Sequence, residues 1–230
     1  LIPQGSIDEM TRLVLTNAVY FKGTWEHQFK PTLTHNGDFH VPADETVQVP
    51  MMHQDSHFRY LRANGFQLLE MPYKGNDLAM IILLPQRVDG LADLESKLSA
   101  DQLESWLAKA RPNYVQVSLP RFKMTRELSL GNVLAGMGMP LAFNAQADFS
   151  GMDGQKDLHI SAILHKAFVD VNEEGTEAAA ATGAVMTLAA VPVRENFRAD
   201  HPFVFLIRDN QSGSILFLGR VENPKKQEQP

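Results

Sequence analysis

The side chains able to do chemistry are thinly spread. Of eight histidines, His53 and His57 stand four apart, a spacing that could ligate a metal from one helix face. The surrounding MMHQDSHF reads instead as a polar connection ahead of a strand near Phe58, with no third ligand nearby. Both are taken as surface histidines, and no metal is expected. His165 sits mid-strand in ILHKAF, where a core histidine satisfied by its neighbours competes with a proton-transfer role. Asn17 raises the same question on the apolar face of LVLTNAVYF, because a buried amide needs partners. The two could satisfy each other across a sheet. No G-x-S-x-G elbow, H-E-x-x-H helix, P-loop or complete G-x-G-x-x-G is found. The chain therefore reads as no enzyme, and it implies no cofactor.

Bulk properties narrow the partners. Net charge is −6, and no basic cluster exceeds Lys225-Lys226, which argues against nucleic acid or an anionic membrane. The absence of cysteine removes disulfides, thiolate metal sites and cysteine nucleophiles. Leu78 to Pro85, the longest apolar run, is too short to span a bilayer, and no signal peptide is visible. With 44% hydrophobic and 21% charged residues, the chain can bury a real core.

The elements that must position these residues follow from pattern. Leu13 to Phe21 alternates as a strand. Phe58 to Leu61, Phe66 to Met71 and Leu78 to Leu84 form a meander, turned at Asn64-Gly65 and Gly75-Asn76, with its last strand fully buried. Leu91, Leu94 and Leu98 keep helical spacing. Ser99 and Gln102 offer a capping box for a second helix through Trp106, before Pro112. Val115, Val117 and Leu119 alternate, and Pro120 marks a break or a change of sheet. Leu128 to Met137 reads as a helix stopped by Gly138 and Pro140. Strands at Leu158 to Val171, Phe203 to Ile207 and Ser214 to Leu218 complete the chain. Strands and helices without strict alternation indicate α+β.

The segment before the last strands, EEGTEAAAATGAVMTLAAVPV (Glu173 to Val193), is unlike the rest. Its TEAAAAT core favours helix by propensity, yet Gly175 and Gly183 bracket only about two turns, marginal in isolation. As a linker it is too apolar, with Val185, Met186, Leu188 and Val191. As a strand, one face carries Thr176, Ala178, Ala180, Thr182, Ala184, Met186 and Leu188, uncharged and tolerant of burial, and the other Glu177, Ala179, Ala181, Gly183, Val185 and Thr187. Proline, which would remove a ladder donor, is absent until Pro192. An exposed loop that can become a central strand is the working reading.

At this point the residues resemble the serpin family. The likeness runs through LTNAVYFKGTW (15–25), FHVPADETVQVPMM (39–52), LPRFKM (119–124), HKAFVDVNEEGTEAAAATGA (165–184) and FRADHPFVFLIRDNQSGSILFLGRVENP (197–224). It implies a single α+β serpin domain over 1–230, with the reactive loop and hinge at 173–193. Ahead of LTNAVYFKG a serpin carries a mostly helical portion, so the chain resembles the C-terminal, larger part. That leaves Leu13 to Phe21 an unpaired edge and a complementary N-terminal fragment as a partner. The lack of cysteine and the plain FRADHPF tail are compatible with a microbial member, and the family favours a secreted or periplasmic setting.

The resemblance also implies a suicide mechanism, in which a target serine protease cleaves the loop and the loop then inserts as a strand. Insertion would fall between Leu13 to Phe21 and Leu158 to Val171. Counting from Gly175 places the cleaved bond at Ala189-Ala190, with Leu188-Ala189 as the alternative. Alanine there suits an elastase- or subtilisin-like pocket better than a trypsin-like one. The hinge would comprise Glu173, Glu174, Gly175, Thr176, Glu177, Ala178, Ala179, Ala180 and Ala181. Asn17 and His165, Trp25 at the point of loop entry, and Arg121 paired with Glu173 would control sheet opening. The alternative function is a non-inhibitory binding or chaperone-like serpin.

Overall fold

The structure, a computed structural model, describes residues 2, 5, 7–42, 45–176 and 194–225. In chain order the strands are β1 (Leu13–Tyr20), β2 (Gly23–Thr24), β3 (His35–Val41), β4 (Glu45–Ala63), β5 (Phe66–Pro72) and β6 (Leu78–Pro85). Helices α1 (Leu91–Lys97) and α2 (Ala100–Lys109) come next, then β7 (Arg111–Pro120), β8 (Phe122–Ser129), α3 (Gly131–Gly136) and α4 (Ser150–Asp153). The last strands are β9 (Ile160–Val171), β10 (Gly175–Thr176), β11 (Glu195–Arg198), β12 (Phe203–Asp209) and β13 (Ile215–Val221). Packing divides the chain into two compact units. One is built from Leu1–Phe21 and Met124–Val169, the other from Lys22–Lys123 and Asp170–Lys226.

The second unit holds an eight-stranded sheet in the order β11-β7-β4-β5-β6-β12-β13, with β3 also paired to β4. The expected meander is there as β4-β5-β6, antiparallel throughout. Gly65 turns at φ +91° and Gly75 at φ +92°, values that L side chains rarely adopt. From Ala79 to Pro85, β6 is buried at every residue, because β5 and β12 flank it. Helices α1 and α2 lay Leu91, Leu94, Leu103 and Trp106 against Phe66, Ile81 and Leu83. Ser99 caps α2 by accepting the Gln102 N–H at 3.2 Å. Burying such leucines contributes about 2 kcal/mol each, so the two helices are held to the sheet chiefly by apolar packing.

Two local readings are corrected. His53 and His57 do not lie in a polar connection: β4 begins at Glu45 and runs nineteen residues. It is held extended by β3 on one stretch and by β7 from Met51 to Tyr60, so pairing overrides local polarity. His53 is half-buried, not on the surface; it stacks on His35 at 4.3 Å and its Nδ1 meets Ser118 Oγ at 2.9 Å. Likewise Leu128 and Ser129 are strand, not helix. The Leu130 N–H donates to the Ile163 carbonyl, keeping the chain extended beside β9, and α3 starts only at Gly131. Pro120 does mark the change of sheet, since β7 and β8 belong to different ones.

In the first unit β1 pairs with β9 in parallel, from Leu13↔Ile160 to Tyr20↔Phe168, and β8 lies along β9. Tyr20 stacks on Phe168 at 5.8 Å. The alternating face of β1 is covered only in part: Phe21 is buried but Leu15 is 42% exposed, and on the opposite face Tyr20 is 53% exposed. No helix among the described residues is long and apolar enough to cross a membrane.

Candidate loop base and sheet-opening residues

The chain leaves β9 through a tight hairpin. Asn172 N–H donates to the Gly175 carbonyl at 2.9 Å, and Gly175 N–H returns to the Asn172 carbonyl at 3.3 Å, so Glu173 and Glu174 form the tip. The segment after β2 satisfies this tip group by group. Trp25 Nε1–H donates to the Asn172 carbonyl, Phe29 N–H to that of Glu173, and Trp25 N–H to that of Glu174. The carbonyl of the buried Glu173 is thereby paired, and those of Asn172 and Glu174 gain a donor beside Gly175 N–H and Gln28 Nε2.

Glu173 is 4% exposed. Arg121 Nε–H donates to both of its carboxylate oxygens, at 2.8 and 2.7 Å, and Nη2 contacts Oε1 as well. Thr34 Oγ1–H adds a donor at 2.5 Å. Burial alone would raise this carboxyl's pKa; the hydrogen bonds from Arg121 and Thr34 outweigh it and hold the group below the usual carboxylate range. The acid at the loop base is therefore ionised and fixed at neutral pH.

Gly175 and Thr176 then form β10, antiparallel to both neighbours: Gly175↔Thr24 and Thr176↔Gly23 on one side, Thr176↔Val171 on the other. Gly175 has φ +146°, and a Cβ there would sit 2.0 Å from the Gly23 carbonyl oxygen. Only glycine permits that approach. Thr176 is fully buried, its hydroxyl 3.0 Å from that of Tyr73. Trp25 lies beneath, 2% exposed and stacked on Tyr73 at 4.6 Å and 12°.

The structure thus brings Trp25, Arg121, Glu173, Glu174, Gly175 and Thr176 together. Asn17 and His165 meet elsewhere, directly opposite in the β1–β9 register, with His165 Nδ1–H donating to Asn17 Oδ1 at 2.9 Å. Asn17 is exposed, so their bond faces solvent. Glu177, Ala178, Ala179, Ala180, Ala181, Leu188, Ala189 and Ala190 lie outside the described residues. Past the loop, Arg194 pairs with Asp55 at 3.1 Å and stands over the Tyr114 ring, leading into β11, parallel to β7. Among the described residues no cluster of His, Asp and Glu is suited to a metal.

Sequence reasoning missed Thr34, Tyr73, Asn172 and the Gly23-Thr24 slot. Tyr73 carried one faint signal, an aromatic beside the Gly75-Asn76 turn. Thr34 carried none, since it reaches Glu173 from 139 residues away.

Comparison with known proteins agrees with this architecture. The family profile described as Serpin (serine protease inhibitor) matches residues 1–224. Human leukocyte elastase inhibitor is 45% identical over 97% of this chain and 62% of its own length. The structure of Serpin48 from the insect Tenebrio molitor, titled a highly specific serpin, superposes with a TM-score of 0.83 at 40% identity. It shares 95% of this chain and 58% of its own. Human thyroxine-binding globulin gives 0.88 at 31% identity, over 98% and 59%. The chain spans about three-fifths of the length of these proteins. With its α+β architecture, its loop base and a profile match over nearly every residue, the chain belongs to the serpin family.

Proposed function

We propose that this chain carries the bait loop and receiving sheet of a serine-protease inhibitor that acts as a suicide substrate, not as an enzyme. The observation that carries the reading is β10: the loop's first residues already sit as a strand, hydrogen-bonded on both sides. Beyond them, after the single charge of Glu177, the sequence continues with the small, uncharged run from Ala178 to Ala184, which can extend a strand without bulk.

In the proposed reaction, the protease serine Oγ attacks the Ala189 carbonyl and its proton passes to the protease's base. The Ala189-Ala190 amide breaks, the Ala190 amine leaves protonated, and Ala189 remains esterified to the protease. Leu188-Ala189 is the alternative bond. The freed loop extends β10 between β1 and β9 and carries the protease with it before water can deacylate the ester. A small bait residue directs the inhibitor to elastase- or subtilisin-like enzymes, in keeping with the leukocyte elastase inhibitors among its relatives. A complementary N-terminal segment is the proposed cover for β1. Asn17 and His165 are the proposed clasp between β1 and β9, and Glu173 with Arg121 the proposed clasp at the loop base.

Insertion adds a full strand of ladder bonds, so cutting the loop should raise the thermal midpoint by more than ten degrees, on the order of several kcal/mol. An unchanged midpoint after a clean cut overturns the reading and favours a binding module.

A further inference from the structure

Tyr73 stands 103 residues from Thr176, yet the two hydroxyls meet inside the protein. Its backbone is fixed at the β5–β6 turn: its N–H donates to the Leu78 carbonyl, and its own carbonyl accepts the Asn76 N–H, both at 2.9 Å. Its ring is locked against Trp25, and it is 2% exposed. A phenol so held cannot follow Thr176 outward. Burial raises its pKa well above the ordinary value, so the hydroxyl stays neutral at physiological pH.

We infer that Tyr73 is a positioning residue that sets the register of the inserting strand, an inference that rests on the inhibitory reading. Side chains alternate along a strand, and a slip of one residue exchanges its two faces. With Thr176 on Tyr73, a continued β10 puts Ala178, Ala180 and Thr182 on the same face and Glu177 on the other. A one-residue slip would instead aim the Glu177 carboxylate at the buried Trp25–Tyr73 stack, where desolvation opposes it. The paired hydroxyls therefore mark the productive register, and Thr176 is held there before any protease arrives.

The test uses the intact natural protein with Tyr73→Phe, Thr176→Val, the double variant, and Thr176→Ser, which keeps the hydroxyl. One readout is the number of chains cleaved per elastase molecule trapped, which reports insertion racing deacylation. A second is the thermal midpoint gained after cutting the loop with thermolysin, a metalloprotease that forms no acyl-enzyme. Tyr73→Phe and Thr176→Val should each raise the cleaved-to-trapped ratio several-fold, up to the roughly tenfold that one buried hydrogen bond allows. The double variant should be no worse than either, and Thr176→Ser should restore the parent value. Ratios within about twofold of the parent, or effects that multiply, overturn the inference while leaving inhibition standing. If the parent traps no elastase yet gains stability on cutting, the inhibitory reading falls. The inference then holds only if the variants lose that gain non-additively. If the parent does neither, both fall.

Discussion

Among the polar couples of the described residues, Glu173 with Arg121 and Asn17 with His165 live in different surroundings. Glu173 is buried and takes three donors' worth of contact from Arg121 and Thr34, while its backbone is tied to Phe29. Asn17 and His165 share one hydrogen bond on an exposed stretch of β1 and β9. Removing Arg121 would strand the buried Glu173 carboxylate, whereas the exposed Asn17–His165 pair can exchange a partner for water. The Glu173 turn is thus held by a buried polar network, while the side-chain couple between β1 and β9 is a single solvent-facing bond.

Substitutions should sort by this contrast. The largest effect is expected from Gly175→Ala, whose new methyl would overlap the Gly23 carbonyl and lie 2.7 Å from Thr24 Cα. Backbone cannot yield cheaply on both counts, so a loss of roughly 3 kcal/mol in denaturant unfolding is expected. A midpoint equal to the parent's would show that β10 is not seated this way. Glu173→Lys comes next. It sets two cations against each other, and a loss of roughly 2 kcal/mol is expected after allowing for the exposure of Arg121. Strands freed at the loop base should also polymerise faster on warming; equal polymer on a native gel counts against the clasp.

A smaller effect is expected from pH at His201. It is 8% exposed, with Nδ1 2.8 Å from Asp200 Oδ1 and Nε2 2.7 Å from the Pro85 carbonyl, so both nitrogens face acceptors. Burial alone would lower its pKa; Asp200 and Pro85 outweigh it and raise the value above 6.5. Its stabilisation is therefore complete below pH 6.5 and is lost as pH rises through the raised value. Asp200 runs oppositely. Burial would raise its carboxyl, His201 and Arg198 prevail, and its contribution is present above pH 3.8 and lost as pH falls through the lowered value. The stability advantage of the parent over His201→Gln should shrink from pH 6.5 upward; an advantage that holds constant to about pH 9 contradicts the paired imidazolium. Smallest of all, Asn17→Ala should cost this chain at most about 0.5 kcal/mol in denaturant unfolding, because the amide is exposed and water replaces the partner.

What the sequence showed depended on how local the signal was. Leu78 to Leu84 announced a buried strand because its own composition required burial, and Ser99 announced a helix start through its own hydroxyl. The opening half of β4 was hidden. Val49 and Met51 alternate correctly and are fully buried, but Pro50 and the two histidines mask the period. Leu128 was misread because its strand is imposed by β9, a neighbour its own residues do not predict. At the loop base, Trp25, Arg121 and Glu173 came from motif resemblance. Thr34 had no local signal and Tyr73 only its place beside a turn, because each joins the site through a partner more than a hundred residues away along the chain.

The most direct test of the central claim is a denaturing gel after mixing the intact natural protein with pancreatic elastase. The account predicts a band at the summed mass, resistant to boiling, in which the Ala189 carbonyl is esterified to the protease serine. A clipped chain alone, beside elastase that remains fully active, would contradict it.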